Sequence, residues 1–218
     1  MSTHWSCFLF DLDGTIIDSA PGITASLAWT FERLGRTVPG PAELLAYVGP
    51  PILDSFRDLA GMTVDEAHHA LEVYRPHYLQ TGVFNSSVYP GVPALLKRIH
   101  ESGIPISLVT SKPELPAITA LDFYGLAHYF TVITGASEDE VRSRKADVVE
   151  EALRRLVALG ADTSTPVMTG DREHDVHGAA EHGVPTIFVE WGYGTTAERA
   201  SAIGVVATAE ELGTLLLG

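Results

Sequence analysis

Short apolar runs alternate along this chain with longer segments in which apolar residues recur every three or four positions. The first pattern is typical of buried strands, and the second is typical of helices that cover a core with one face. The alternation predicts repeated strand–helix–strand units, and therefore a mainly parallel sheet with helices on both faces. The predicted strands are 8–10, 104–109, 129–133, 167–169, 186–189 and 205–207, and the helices among them are 91–100, 145–159 and 176–182.

The first predicted strand is separated from its helix by an unusually long interval. A helix normally begins about 2 to 6 residues after a strand, whereas the segment that fits this place, 91–100, begins roughly 70 residues later. The interval is itself helical in pattern, and Thr63 and Glu66 form a capping box within it. The pattern therefore predicts an all-helical domain, residues 16–85, inserted into a core made of residues 1–15 and 86–218.

Three of the predicted strands end in polar residues. Because the carboxyl ends of parallel strands meet at one edge of a sheet, where ligands bind, we expect these residues at a single site. A hairpin turn at Asp13-Gly14 is the alternative for the first ending, but no second alternating strand follows it. The polar residues at the three endings are Asp11 and Asp13; Thr110, Ser111 and Lys112; and Asp171 and Asp175.

Four motifs carry a resemblance to a known family. They are DLDGT at 11–15, LVTS at 108–111, an isolated Lys145 within SRKAD, and GDREHD at 170–175. In type and order they resemble the motifs of the haloacid dehalogenase-like superfamily of phosphohydrolases, and they span nearly the whole chain. The resemblance implies an α/β fold, with a Rossmann-like doubly wound parallel sheet as its core. It also identifies the helical insert as a cap domain of the C1 type.

Several carboxylates at one edge of a sheet would repel one another. Each like-charged pair at about 4 Å costs on the order of 4 kcal/mol at an effective dielectric constant near 20. A cation is therefore expected among them, and a site made only of oxygen ligands favours Mg²⁺ over zinc. The resemblance implies that Mg²⁺ is held by the Asp11 carboxylate, the Asp13 backbone carbonyl and Asp171, with Asp175 acting directly or through water.

The resemblance also implies a role for each remaining motif residue. Asp11 would attack phosphorus and form an aspartyl-phosphate, and Asp13 would act first as an acid and then as a base. The phosphoryl oxygens would be held by Thr110, Ser111, Lys145 and Gly14. Ser111 and Lys112 receive less weight, because a hydroxyl at this place is often a strand-end cap and a lysine just after a strand is most often a solvated cation.

These roles predict a Mg²⁺-dependent phosphomonoesterase that hydrolyses a small phosphate ester. The segments 48–53, 110–113 and 191–194 resemble the phosphoglycolate phosphatase-like group and its 5′-nucleotidase-like branch. Phosphoglycolate phosphatases usually have proline after the motif lysine, whereas Ala146 stands here, which favours the second branch. A phosphomutase of the β-phosphoglucomutase type uses the same aspartyl-phosphate and remains the alternative.

Two further patterns have competing interpretations. The stretch 192–197 matches GxGxxA after a strand, which is the pattern of a dinucleotide-binding loop, but its helix would be short and a WGYG loop occurs in similar phosphatases. We therefore expect its glycines to shape a turn beside the site. His174, His177 and His182 lie on a polar helix without a convincing three-ligand spacing, which favours surface histidines over a zinc site.

Composition narrows the possible partners. The chain has 218 residues and a net charge of −14, which argues against nucleic acid and leaves a small phosphorylated metabolite as the expected partner. No apolar run approaches the length of about 18 residues needed to span a membrane, and no leader is recognisable. We expect a cytoplasmic monomer or small homo-oligomer. The single cysteine, Cys7, lies in the first strand and is expected to be buried.

Overall fold

A computed structural model gives the structure of residues 4–218. Its centre is a six-stranded sheet in which every neighbouring pair of strands is parallel. The strand order is β5-β4-β1-β6-β7-β8, so the first strand lies in the middle. The strands are β1 (Cys7–Phe10), β4 (Ile106–Pro113), β5 (Val132–Ala136), β6 (Pro166–Gly170), β7 (Thr186–Val189) and β8 (Gly204–Val206). The predicted Rossmann-like α/β class is confirmed.

Both faces of this sheet are buried. Cys7 and Leu9 of β1 pack with residues of two helices that follow later strands, and Phe8 and Phe10, which project to the opposite side, are buried as well. A strand buried on both faces is apolar at every position, as β1 is. The helices joined to this sheet are α5 (Val92–Ser102), α6 (Glu114–Phe123), α7 (Lys145–Ala158), α8 (Glu173–Ala180) and α9 (Ala209–Leu217).

The contacts within the chain define two compact units. One contains the chain up to Ile17 together with Val88–Gly218, and the other is Asp18–Ser87. A two-stranded sheet of β2 (Ile17–Asp18) and β3 (Ser87–Val88) lies where the chain passes between them. None of the helices that the structure describes in residues 4–218 is long and apolar enough to cross a membrane.

The second unit is helical throughout. Its α1 packs against its α4. Four aromatic side chains, three from helices and one from the turn after α2, form edge-to-face contacts; they are Phe31, Tyr47, Phe56 and Tyr74. The predicted capping box is confirmed, since Thr63 and Glu66 bind each other's backbone N–H at the start of α4. The helices are α1 (Ala20–Arg33), α2 (Pro41–Leu45), α3 (Ile52–Asp58) and α4 (Val64–Gln80), followed by a 3-10 helix (Gly82–Phe84).

One predicted strand is displaced along the chain. The strand expected at 129–133 begins at Val132, because a 3-10 helix, Ala127–Tyr129, occupies the start of the apolar run. Tyr129 is half-buried there rather than paired in the sheet. A short apolar run does not by itself distinguish a strand from a buried turn.

Candidate active site

The carboxyl ends of β1, β4 and β6 bring the polar strand endings together. Asp11 follows β1 directly, and Asp171 follows β6. The first residue of α7 is Lys145, and Asp175 lies in the first turn of α8. All four side chains are buried. The chain therefore places three carboxylates and one ammonium group at the edge of the sheet where α/β proteins bind ligands.

The carboxylates of Asp11, Asp171 and Asp175 form one acidic cluster. An oxygen of each lies within 4.8 Å of the others. Nζ of Lys145 approaches two of them: it donates to Oδ1 of Asp11 at 2.6 Å and lies 2.8 Å from Oδ1 of Asp175. It also donates to the carbonyl oxygen of Val109 at 3.0 Å. One ammonium group thus contacts carboxylates that follow two different strands.

Both carboxylate oxygens of Asp171 accept hydrogen bonds from neighbouring groups. Its Oδ1 accepts a hydrogen bond from the Thr15 hydroxyl at 3.3 Å, and its Oδ2 accepts one from the backbone N–H of Tyr193 at 2.7 Å. A Cβ on Gly14 or on Gly192 would overlap with this carboxylate. The absence of side chains at those two positions is therefore what allows both loops to close over Asp171.

The two carboxylate oxygens of Asp175 have different surroundings. Its Oδ2 accepts the backbone N–H groups of Asp171 at 3.1 Å and Arg172 at 3.0 Å, an arrangement typical of an acidic residue at a helix start. No donor among residues 4–218 forms a hydrogen bond with its Oδ1, although Lys145 is close. A buried carboxylate oxygen without an aligned donor is suited to bind a cation.

Asp13 is not one of the three carboxylates of the acidic cluster, and it pairs with a second lysine. Nζ of Lys112 donates to its two carboxylate oxygens at 2.8 and 2.7 Å. Only 8% of the surface of Lys112 is exposed, so the expectation of a solvated cation is wrong. Burial of this lysine depends on the path of β4 beside β5, which local sequence does not reveal.

The remaining predicted residues lie at the same edge in different settings. Thr110 and Ser111 are buried at the end of β4, and the Thr110 hydroxyl accepts the backbone N–H of Lys112 at 3.2 Å. The N–H of Gly14 donates to the carbonyl oxygen of Ile17 at 2.9 Å. Gly14 packs against the carboxylate of Asp171, and its role in phosphate binding stays a prediction.

The protonation behaviour of the cluster follows from its burial. Burial raises the pKa of Asp11 to about 7, an effect that the Lys145 ammonium opposes. Burial, followed by repulsion from Asp175 and Asp11, raises the pKa of Asp171 well above its usual range. Since one lysine does not neutralise three buried carboxylates, and since all the available ligands are oxygens, the cluster fits a hard divalent cation.

Comparison with known proteins agrees with this geometry. The sequence profile described as haloacid dehalogenase-like hydrolase matches residues 8–189. The chain belongs to the haloacid dehalogenase-like hydrolase family. The resemblance inferred from the four motifs is thereby confirmed, and the matched range contains Asp11, Lys145, Asp171 and Asp175.

Relatives within the haloacid dehalogenase-like family carry several names. A protein from Mycobacterium tuberculosis named tyrosine-protein kinase PtkA is 39% identical over 186 residues, which cover 85% of this chain. The match spans only 62% of that relative's length. A 5′-nucleotidase from Pseudomonas aeruginosa is 35% identical over 191 residues, covering 87% of this chain and 85% of the relative. A crystal structure described as a predicted phosphatase from Clostridium acetobutylicum superposes with a TM-score of 0.91 at 34% identity, covering 99% of each chain.

The dinucleotide-binding interpretation of 192–197 does not fit this member of the haloacid dehalogenase-like family. Residues 191–201 form turns and no helix follows the glycines. A Cβ on Gly194 would overlap with the carbonyl oxygen of Asp171, so this loop packs on the acidic cluster. Its Trp191 donates from Nε1 to the carbonyl oxygen of Thr15 at 3.0 Å. The glycines shape a turn beside the site, as expected.

Two contacts of the site could not be read from the sequence. The N–H of Tyr193 is a backbone group, which any residue except proline would supply. The hydroxyl of Thr15 belongs to the DLDGT motif, but its partner, Asp171, lies 156 positions away. Of the three histidines expected at the surface, His177 and His182 are exposed and His174 is half-buried.

Proposed function

We propose that this protein is a magnesium-dependent phosphomonoesterase that hydrolyses a small phosphate ester through an aspartyl-phosphate on Asp11. The observation that carries the proposal is the approach of one buried ammonium group, Lys145, to both Asp11 and Asp175. This contact orients a carboxylate nucleophile beside a cation-binding cluster. Membership of a hydrolase family and relatives named as phosphatases or nucleotidases support the same reaction.

Asp11 performs the first step. One of its oxygens forms a bond to phosphorus while the bond from phosphorus to the ester oxygen breaks, and the electron pair of that bond stays on the ester oxygen. The Lys145 ammonium at 2.6 Å fixes the orientation of the Asp11 carboxylate. The same ammonium stabilises the charge that spreads over the phosphoryl oxygens in the transition state.

Asp13 transfers the proton in both steps. As an acid it protonates the departing ester oxygen, and as a base it then takes a proton from the water that attacks phosphorus. That attack breaks the bond between phosphorus and Asp11, which restores the carboxylate and releases inorganic phosphate. The hydroxyls of Thr110 and Ser111, at the end of β4, donate to the phosphoryl oxygens. The Thr110 hydroxyl accepts a backbone N–H, so its own proton is directed elsewhere.

The carboxylates of Asp11, Asp171 and Asp175, with the backbone carbonyl of Asp13, would hold the magnesium ion. Bound Mg²⁺ would keep Asp11 ionised and offset the negative charge of the incoming phosphate. Thr15 and the N–H of Tyr193 orient Asp171 for this role.

Phosphate release from purified protein tests the proposal. The panel contains phosphoglycolate, nucleoside monophosphates, pyrophosphate and p-nitrophenyl phosphate, each with Mg²⁺ or with a chelator. We expect turnover that requires Mg²⁺, and loss of it in Asp11→Asn, because this variant lacks the nucleophile at nearly constant volume. The control is Asp122→Asn, on the exposed side of α6. Turnover by Asp11→Asn above the background rate would contradict the covalent mechanism.

The intermediate itself can be detected. Asp13→Asn lacks the base that activates water. With p-nitrophenyl phosphate, whose phenolate departs with little help from an acid, the variant quenched during turnover is expected to carry one phosphoryl group on the peptide that contains Asp11. Mass spectrometry of the digested protein measures this directly. Asp11→Asn supplies the control, since it removes the site of attachment.

Transfer to an acceptor other than water is the second candidate. The relative named a tyrosine-protein kinase favours a protein hydroxyl as the acceptor, and a phosphomutase would return the phosphoryl group to the substrate. All three reactions use the same phosphorylated Asp11. Product analysis separates them, because hydrolysis alone releases one inorganic phosphate for each ester consumed.

The helical unit, Asp18–Ser87, is proposed as the cap that selects the substrate. Ala146 favours a nucleoside monophosphate over phosphoglycolate, by the resemblance described above. The panel of esters tests both statements, since the ratio of kcat/KM values between the two esters measures this preference.

A further inference from the structure

The chain contains two buried lysines, and contact with the acidic cluster accounts for the burial of only one of them. Lys145 contacts Asp11 and Asp175, whereas Lys112 contacts Asp13. The third lysine, Lys97, lies on the surface of α5 with 62% of its side chain exposed. Because burial of an ammonium group is costly unless it is paired, the burial of Lys112 requires the partner that it has.

An irregularity in the sheet directs Lys112 to the site. Val109 of β4 is opposite Thr134 of β5, but Pro113 is opposite Ala136. The three residues from Thr110 to Lys112 are therefore opposite a single residue, Gly135. Such bulges bend a strand and re-aim its side chains, and they are frequent beside active sites. A Cβ on Gly135 would overlap with the carbonyl oxygen of Lys112, so the glycine is needed for this path.

The contact orients the whole carboxylate of Asp13. Nζ of Lys112 lies 2.8 Å from one carboxylate oxygen and 2.7 Å from the other, so it faces the group symmetrically. Asp13 itself lies in the loop after β1, where its backbone forms an isolated bridge with Ile17. Proton transfer requires the carboxylate oxygen within hydrogen-bond distance of the ester oxygen in a defined direction.

We infer that Lys112 is a positioning residue for Asp13, which holds the carboxylate in the orientation that proton transfer requires. This inference rests on the proposed role of Asp13 as acid and base. Lys112 acts through Asp13 and not on the phosphoryl group, which Lys145 and the hydroxyls at the end of β4 hold. Replacement of Lys112 therefore slows only the steps in which Asp13 donates or accepts a proton.

Leaving groups of different basicity provide the readout. A strongly basic leaving group needs a proton from Asp13, whereas an activated phenolate departs with little help. The variants are Lys112→Met, Lys112→Arg, Asp13→Asn and the double variant Lys112→Met/Asp13→Asn. Lys97→Met is the matched control, because it makes the same substitution on the surface. Each is assayed on a series of aryl phosphates and on one alkyl phosphate.

We expect Lys112→Met to lower kcat on the alkyl phosphate about 10- to 100-fold, the range caused by a misplaced catalytic group. The loss should shrink as the phenol becomes more acidic, with KM little changed. The double variant should be no slower than Asp13→Asn, since residues that act as a unit are strongly non-additive. Lys112→Arg should recover part of the rate, and Lys97→Met should match the original protein.

Three outcomes would overturn the inference. If the fold-loss of kcat in the double variant equals the product of the losses in the two single variants, Lys112 acts independently of Asp13. A raised KM with unchanged kcat would make it a substrate-binding residue. An equal loss for every leaving group, together with a lower Tm, would make the ion pair purely structural. If Lys112→Met does not fold, the comparison of Lys112→Arg with Lys112→Arg/Asp13→Asn applies the same additivity criterion.

Failure of the proposed function gives a different result. If Asp13→Asn hydrolyses the alkyl phosphate at the original rate, then Asp13 is not the acid, and a residue that acts through it has no role. If Asp13→Asn is slow and Lys112 variants lose activity independently of it, only the inference about Lys112 fails.

Discussion

Gly178 of α8 packs directly against Lys145 of α7. A Cβ on Gly178 would lie 2.8 Å from the Cβ of Lys145, and 2.9 Å from the backbone nitrogen of Ala146. Neither atom is at the free end of a side chain, so neither can move without moving α7. The position of the Lys145 ammonium group in the acidic cluster therefore depends on the absence of a side chain at Gly178 of the neighbouring helix.

Gly178→Ala is expected to impair turnover through Lys145. The added methyl group must displace the start of α7, which moves Nζ away from Asp11 and Asp175. We expect a loss of kcat of about 10-fold or more, since small misplacements of catalytic groups have large effects. Overpacking of this kind costs about 1 to 3 kcal/mol of stability, partly offset by the better helix propensity of alanine. Phosphate release and urea unfolding measure the two effects.

Gly213→Ala is the matched control. This glycine is also buried in a helix, α9, but a Cβ there would meet Nη1 of Arg98 at 3.0 Å and Cδ1 of Leu95 at 3.2 Å. Both are ends of flexible side chains that can move aside. Turnover should be unchanged in this variant. Equal activity of Gly178→Ala and Gly213→Ala would contradict the dependence of Lys145 on the packing of α8.

The stability of the metal-free protein should fall as the pH rises. Burial raises the pKa of Asp11 to about 7, far above the value of about 3.9 expected when unfolded. A raised pKa stabilises the folded state fully below the unfolded pKa, and this contribution is lost as the pH rises through the folded pKa. Without a divalent cation, we therefore expect the Tm to decrease from about pH 5 to about pH 8.

Magnesium should reverse this decrease, because it binds the ionised carboxylates. At about 100 times its Kd it adds about 2.7 kcal/mol of stability, and the gain in Tm should be larger at pH 8 than at pH 5.5. Thermal unfolding with Mg²⁺ and with a chelator measures this gain. Asp171→Asn should abolish it, whereas Asp122→Asn should retain it. A gain that is the same at both pH values would contradict the proposed ligand set.

The helical unit depends on a close contact between two glycines. A Cβ on Gly22 of α1 would overlap with the carbonyl oxygen of Gly82 and lie 2.9 Å from that of Asn85. Gly22→Ala should therefore lower the free energy of unfolding by about 1 to 3 kcal/mol. Gly40→Ala is the control, since the nearest atom to its Cβ would be 3.5 Å away. Similar unfolding midpoints in urea for both variants would contradict this contact.

Cys7 should be unreactive in the folded protein. Burial raises the pKa of its thiol to about 11, and the side chain is fully buried in β1. Since the thiolate is the reactive form, an aromatic disulfide reagent at pH 8 should label no thiol until the protein unfolds. In guanidinium chloride the same assay should detect one thiol for each chain. Rapid labelling without denaturant would show that β1 opens readily.

The pattern of the chain was sufficient for the fold class and for the edge of the sheet that holds the site. Strands buried on both faces are mainly apolar, so β1, β6 and β7 are visible as short runs. The capping box of Thr63 and Glu66 depends only on residues three positions apart. Where the two partners of an interaction are close in sequence, both can be identified from the sequence alone. The predicted fold class and capping box agree with the structure for this reason.

The partners of the two buried lysines were decided only by the tertiary structure. The sequence places Lys112 after a strand, where a solvated lysine is the usual outcome. Its burial depends on the two extra residues of β4 opposite Gly135, and its partner, Asp13, lies 99 positions away. The register between strands is a property of the packed sheet, because it depends on what each face buries. The residue type therefore gives the charge of a side chain, whereas the packing of strands and helices determines its partner and its burial.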